Sequence, residues 1–145
     1  MATKRSRKKK RFFTPTEAQK MLPLVRAIVK DIVELAHSLR DQHTRLQRLN
    51  DGGIRKGLIT REQLADEQIA FDNGQDRLKE LVDELTALGV ELKDFYSGLI
   101  DFPCWMEDRE VCLCWKHGEG DLAWWHEVDA GYRGRQPLRL RAAAQ

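Results

Sequence analysis

Two apolar stripes that mirror each other about residue 55 constrain this chain more than any other feature. The first runs Val25, Ile28, Ile32, Leu35, Leu39, Gln42, Leu46, Leu49. Its steps alternate three and four, which is a heptad seam with one polar member. The second runs Leu64, Gln68, Phe71, Gln75, Leu78, Val82, Leu85, with Leu81 and Leu88 widening it. Reflection about residue 55 pairs Leu46 with Leu64, Gln42 with Gln68, Leu39 with Phe71 and Ile32 with Leu78. An antiparallel helical hairpin needs this symmetry, because equal path lengths on either side of a turn meet. The reading places Gln42 and Gln68 in one polar layer. Each arm reaches about 40–50 Å at 1.5 Å per residue.

Local punctuation agrees with the stripes. Thr14-Pro15-Thr16-Glu17 and Thr60-Arg61-Glu62-Gln63 read as capping boxes that start two helices. Asp51-Gly52-Gly53 stops the first, and Gly89 sits where a left-handed cap closes the second. Pro23 should bend the first helix, since its ring meets the carbonyl of Gln19. Gly74 weakens the second by about 1 kcal/mol relative to alanine.

Past Gly89 the period falls from helical to two. Val90 to Lys93, Leu99 to Phe102, Glu110 to Lys116 and Leu122 to Glu127 read as short strands. Turns fall at Ser97-Gly98, Glu107-Asp108 and His117 to Gly120. The fold class is α+β: a long antiparallel helical hairpin followed by a small antiparallel β meander. The organisation expected is a disordered basic arm over 1–12, one domain over 13–138 (hairpin 14–88, β unit 90–132) and a flexible tail over 139–145.

Charge separates along the chain. Lys4, Arg5, Arg7, Lys8, Lys9, Lys10 and Arg11 form an acid-free run. All 23 acidic residues lie between Glu17 and Asp129, against 14 basic ones there, so an acidic body of net charge −9 carries basic ends. No apolar run approaches the ~18 residues of a membrane span. The basic start lacks the apolar stretch of an export signal. Three cysteines, an odd number clustered at Cys104, Cys112 and Cys114, suit reduced thiols in a cytoplasmic protein.

Several segments together resemble the prokaryotic family catalogued as domain of unknown function 2203. They are Gly89 to Asp94, Gly98 to Pro103, Arg109 to Val111, Leu113 to Trp115, Gly118-Glu119, Trp125-His126, Gly131-Tyr132 and Arg135 to Leu138, with Phe13-Thr14, Glu17-Ala18 and Leu22-Pro23 at the opening. The resemblance spans roughly 13–138 and implies a prokaryotic origin and this domain type. It brings no reaction, cofactor or partner. Cys114 falls inside the pattern, and Cys104 and Cys112 fall outside it.

Four features could carry chemistry. Asp101, Glu119, His126 and Arg135 are polar groups among aromatics, which must pair to be buried. They could act as an acid–base couple, a metal site or an anion clamp, or simply as a structural network with Glu119 capping a hairpin. Cys112 and Cys114 share one strand face, opposite Val111, Leu113 and Trp115. With Cys104 and His117 or His126 they could offer zinc ligands, although small buried hydrophobes fit as well. The basic run from Lys4 to Arg11 could meet phosphates nonspecifically, or dock on acidic surfaces. Trp124 and Trp125 should face opposite sides of their strand, leaving one for the helices and one for solvent, a pocket or a partner.

The function expected is a non-enzymatic interaction or regulatory module that self-associates through its hairpin. Val29, Ala36, Ile69 and Leu81 lie beside the main seam and call for further helices. The alternatives are a small-ligand or metal-dependent activity on the β unit, and nucleic-acid binding through the arm.

Overall fold

The computed structural model describes residues 10–139. Helix α1 spans Pro15–Asn50 and α2 spans Arg61–Ala87. A five-stranded antiparallel sheet follows in simple meander order: β1 Glu91–Asp94, β2 Leu99–Met106, β3 Arg109–Lys116, β4 Trp124–Glu127 and β5 Gln136–Pro137. The α+β class with its hairpin and meander is therefore as the sequence indicates. No helix among the described residues is long and apolar enough to cross a membrane.

Both capping boxes form. The Thr14 hydroxyl accepts from the Glu17 N–H at 3.1 Å, and the Glu17 carboxylate accepts from the Thr14 N–H at 2.9 Å. Thr60 and Gln63 repeat the exchange at 3.0 Å each way. Each cap is worth about 1 kcal/mol. At the far end of α2, Gly89 takes φ +94°. Val90 N–H then reaches the Leu85 carbonyl and Gly89 N–H the Thr86 carbonyl, a Schellman close. Pro23 sits inside α1, which continues through it.

The hairpin forms, but its register differs from the mirror about residue 55. Leu39 lies against Gly74 rather than Phe71, Phe71 stacks on His43 at 5.8 Å, and Arg45 pairs with Glu67 at 2.8 Å. The offset is two to four positions. The connection is responsible in part, because residues 51–58 wind into successive turns, with Gly53 N–H on the Leu49 carbonyl and Leu58 N–H on the Gly53 carbonyl. Gly74 completes the shift, since a Cβ there would stand 2.6 Å from Leu39 Cδ2. The glycine is thus a notch for Leu39. Gln42 is exposed and Gln68 bonds to Asp72 within its own helix, so the expected glutamine layer is absent.

The sheet lays Ile100, Phe102, Val111, Leu113 and Trp115 against Leu22, Val25, Val29 and Ile32 of α1. Val29, Ala36 and Leu81, expected beside the hairpin seam, are buried within this single chain, and only Ile69 of that set stays exposed. Val29 and Leu81 share one core with the sheet, while Ala36 lies at the edge of the hairpin beside Phe95 and Tyr96.

β2 runs four residues past the expected Phe102, through Pro103. β1 has ended by then, its last partner on β2 being Asp101, so the missing N–H breaks no ladder bond. The Pro103 carbonyl instead accepts the Phe13 N–H at 2.7 Å. Residues 10–12, assigned from sequence to a free arm, lie on the domain. Lys10 pairs with Glu110, Arg11 donates to the Leu88 carbonyl, and Phe12 meets Trp105 edge to face at 5.6 Å. The β unit also continues beyond 132, into a 3₁₀ turn at Tyr132–Gly134 and β5, whose Gln136 and Pro137 pair with Trp125 and Trp124.

Candidate functional site

The strand registers assemble a polar centre on the sheet face turned away from α1. Asp101 on β2 stands opposite Cys114 on β3, and Cys112 stands opposite His126 on β4. Strand alternation sends these four side chains to one face, because Val111, Leu113 and Trp115 occupy the other. Asp101 and His126 are only 2% and 3% exposed. A buried carboxyl and imidazole must be hydrogen-bonded to persist, and His126 Nε2 lies 3.0 Å from Asp101 Oδ1.

The geometry fixes the tautomer. His126 Nδ1 lies 2.7 Å from the Glu127 carbonyl, which can only accept, so Nδ1 carries the hydrogen. A neutral ring then presents a bare lone pair to Asp101. The Nε2–Oδ1 bond therefore needs one further proton, held between the two groups. The pair is an acid–base couple in kind, but its burial keeps both members from a substrate in solvent.

Both thiols beside Asp101 are silenced. Burial, and then the neighbouring Asp101 carboxyl, pushes Cys112 and Cys114 up to about 12. Cys104 is raised by burial too, on the opposite face within the core. At pH 8 a thiol-specific disulfide reagent should leave all three unmodified in the folded protein. Stopped-flow mixing in denaturant should release the full signal, and rapid labelling of a native thiol would contradict this.

Glu119 and Arg135 form a second pair at the end of the sheet. Arg135 donates twice to the Glu119 carboxylate at 2.7 Å, and once to the Cys114 carbonyl at 3.3 Å. Glu119 also accepts the Lys116 N–H at 2.9 Å, so it closes the β3–β4 connection. Burial opposes its ionisation, but the bonds from Arg135 and Lys116 outweigh that and hold it below the usual carboxylate range. The guanidinium lies over Trp124 at 5.1 Å and Tyr132 at 4.6 Å. Its Nε is buried without an acceptor. The four polar residues thus fall into two adjacent pairs joined through Cys114.

The cysteine–histidine set does not assemble. Cys104 faces the core, and the His117 backbone N–H bonds the Gly98 carbonyl at the far side of the sheet. Instead the ligand atoms of Asp101, Cys114 and His126 all lie within 4.8 Å of one another. Of the basic run, Lys10 and Arg11 contact the domain, and Lys4, Arg5, Arg7, Lys8 and Lys9 lie outside the described residues. Trp125 packs toward the core and Trp124 lies under Arg135, while the exposed tryptophan is Trp105 at 59%.

Residues 11–138 match the family described as "Uncharacterized conserved protein (DUF2203)". The chain belongs to this family. Its matched span takes in the hairpin, all five strands and both polar pairs of this DUF2203 protein. No curated protein and no solved structure matches it.

Sequence reasoning missed one further feature of this DUF2203 domain. A groove of about 580 Å³ opens where the hairpin meets the β1–β2 turn, lined by Ala36, Leu39, Phe71, Leu78, Val82 and Phe95. Tyr96 frames it, held by its carbonyl 3.0 Å from His37 Nε2 and by Arg40 over its ring at 4.8 Å. Phe95-Tyr96 breaks strand alternation directly before a turn, and that was the available signal.

Proposed function

We propose that the protein is a non-enzymatic interaction module that self-associates through its helical hairpin. The apolar groove between α1, α2 and the Phe95-Tyr96 turn is the observation that carries this reading. α2 fully buries only Leu81 and Leu85 over its 27 residues, and Leu64, Phe71, Leu78 and Val82 are only half-covered by α1. Such a face is satisfied by more helix.

Charge selects the occupant. α2 carries eight acidic and three basic residues, whereas α1 carries six basic and four acidic ones. Two copies related by a two-fold axis can lay α1 of each along α2 of the other, so that unlike charges meet. Packing α2 on α2 would oppose two acidic surfaces. Three unpaired thiols fit a reducing, cytoplasmic setting.

Light scattering across a wide concentration range tests the proposal. The expected mass is that of a dimer. Gln75 lines the groove and is exposed, so Gln75→Arg should leave the melting temperature unchanged. It should weaken dimerisation by about tenfold or more, as burial of one unpaired charge requires. A strictly monomeric wild type at high concentration would end this reading.

A further inference from the structure

We propose that Asp101, Cys114 and His126 bind one divalent cation of the zinc type between β2, β3 and β4. This goes beyond self-association and concerns the opposite end of the molecule from the hairpin tip.

The donor atoms are already gathered. A carboxylate oxygen, a thiol sulfur and an imidazole nitrogen lie within 4.8 Å of one another, each on a different strand. Mixed oxygen, sulfur and nitrogen donors suit Zn²⁺, a borderline-soft ion without geometric demands of its own. Metal–donor lengths of about 2.0–2.3 Å give tetrahedral edges of about 3.3–3.8 Å. The Asp101–His126 contact of 3.0 Å would therefore open by only a few tenths of an ångström.

The surroundings are those of a ligand set. Metal-binding imidazoles characteristically give their other N–H to a carbonyl or carboxylate, which fixes the tautomer and aims the lone pair. His126 does this with Glu127, and its Nε2 faces Asp101. Arg135 donates to the Cys114 carbonyl at 3.3 Å, and its buried Nε–H lacks an acceptor.

The charge balances. Without metal, the centre holds one proton on Cys114 and one shared between Asp101 and His126, for no net charge. A dication enters as both protons leave to solvent. It then meets one carboxylate, one thiolate and a neutral imidazole, and the buried total stays at zero. That avoids the penalty of a net buried charge. The bound ion would cross-link three strands and tie the sheet together.

The test uses the full chain, stripped with a chelator and titrated with Co²⁺. One equivalent should saturate a near-ultraviolet thiolate-to-cobalt charge-transfer band, with visible bands of tetrahedral intensity, and Zn²⁺ should displace it. Zn²⁺ should also raise the melting temperature. Cys114→Ser should remove the charge-transfer band. It should weaken binding by at least the roughly 100-fold that loss of an outer-shell partner can produce. Cys104→Ser, on the other sheet face, should leave the titration unchanged. A folded wild type with no saturable cobalt spectrum at micromolar concentration overturns the proposal. A band retained in Cys114→Ser, or lost in Cys104→Ser, overturns it equally. None of these readouts depends on oligomeric state.

Discussion

Replacing Gly98 with alanine should remove about 2–5 kcal/mol of folding free energy, which for a small domain is a large share of the whole. Gly98 holds φ +72° in the turn between β1 and β2. An L-residue in that conformation costs about 1–2 kcal/mol. The added Cβ would also stand 2.5 Å from His117 Cβ, and 2.9 Å from Val29 Cγ1 and Val33 Cγ2. None of these atoms can yield cheaply. The His117 backbone is bonded to the Gly98 carbonyl at 3.0 Å, and the two valines are β-branched residues with a fixed rotamer on α1. Overpacking of this kind adds about 1–3 kcal/mol. Gly57 provides the control. Its φ is +76°, but nothing lies within 4 Å of its notional Cβ. Gly57→Ala should therefore show only the conformational share. Urea unfolding of both variants measures the difference, and equal losses would mean that close approach of the sheet to α1 contributes nothing.

This contact marks the boundary of what the sequence made legible. The caps were readable because four consecutive residues specify each one, from Thr14 to Glu17 and from Thr60 to Gln63. The existence of the hairpin was readable for a similar reason, because a long regular stripe has few other uses. Its register was not. A seam with steps of three and four superposes nearly as well after a slide of three or four residues, so Leu39 meeting Phe71 and Leu39 meeting Gly74 look alike in one dimension. A missing Cβ at Gly74 decided between them. The cover of Val29 and Leu81 was unreadable for another reason, since it comes from a sheet encoded further along the chain.

In the β unit, alternation told which side chains share a face within one strand. It correctly set Cys112 and Cys114 apart from Val111, Leu113 and Trp115. It could not tell which strands stand side by side, or in what register. Asp101 and His126 are 25 residues apart, and they meet only because the β2–β3 and β3–β4 registers combine. β5 is two residues long and contains a proline, too short to show any period.

The Asp101–His126 couple gives the other large effect, and the two halves of the couple should not be equivalent. In metal-stripped protein, His126→Leu should lower stability by about 2–3 kcal/mol, the upper part of the range for leaving a buried polar group unsatisfied. It leaves a carboxyl that is 2% exposed without its partner. Asp101→Asn should cost only about 1 kcal/mol, the scale of one altered hydrogen bond. The reason lies in the tautomer. Because His126 gives its Nδ1 hydrogen to the Glu127 carbonyl, Nε2 offers a lone pair, and an asparagine N–H can donate to it directly. The shared proton that the carboxyl requires is then unnecessary, and no charge has to be accommodated. Denaturant midpoints at constant slope would establish the order. If Asp101→Asn proved as damaging as His126→Leu, Nε2 would have to be a donor already. The couple would then be a carboxylate and an imidazolium.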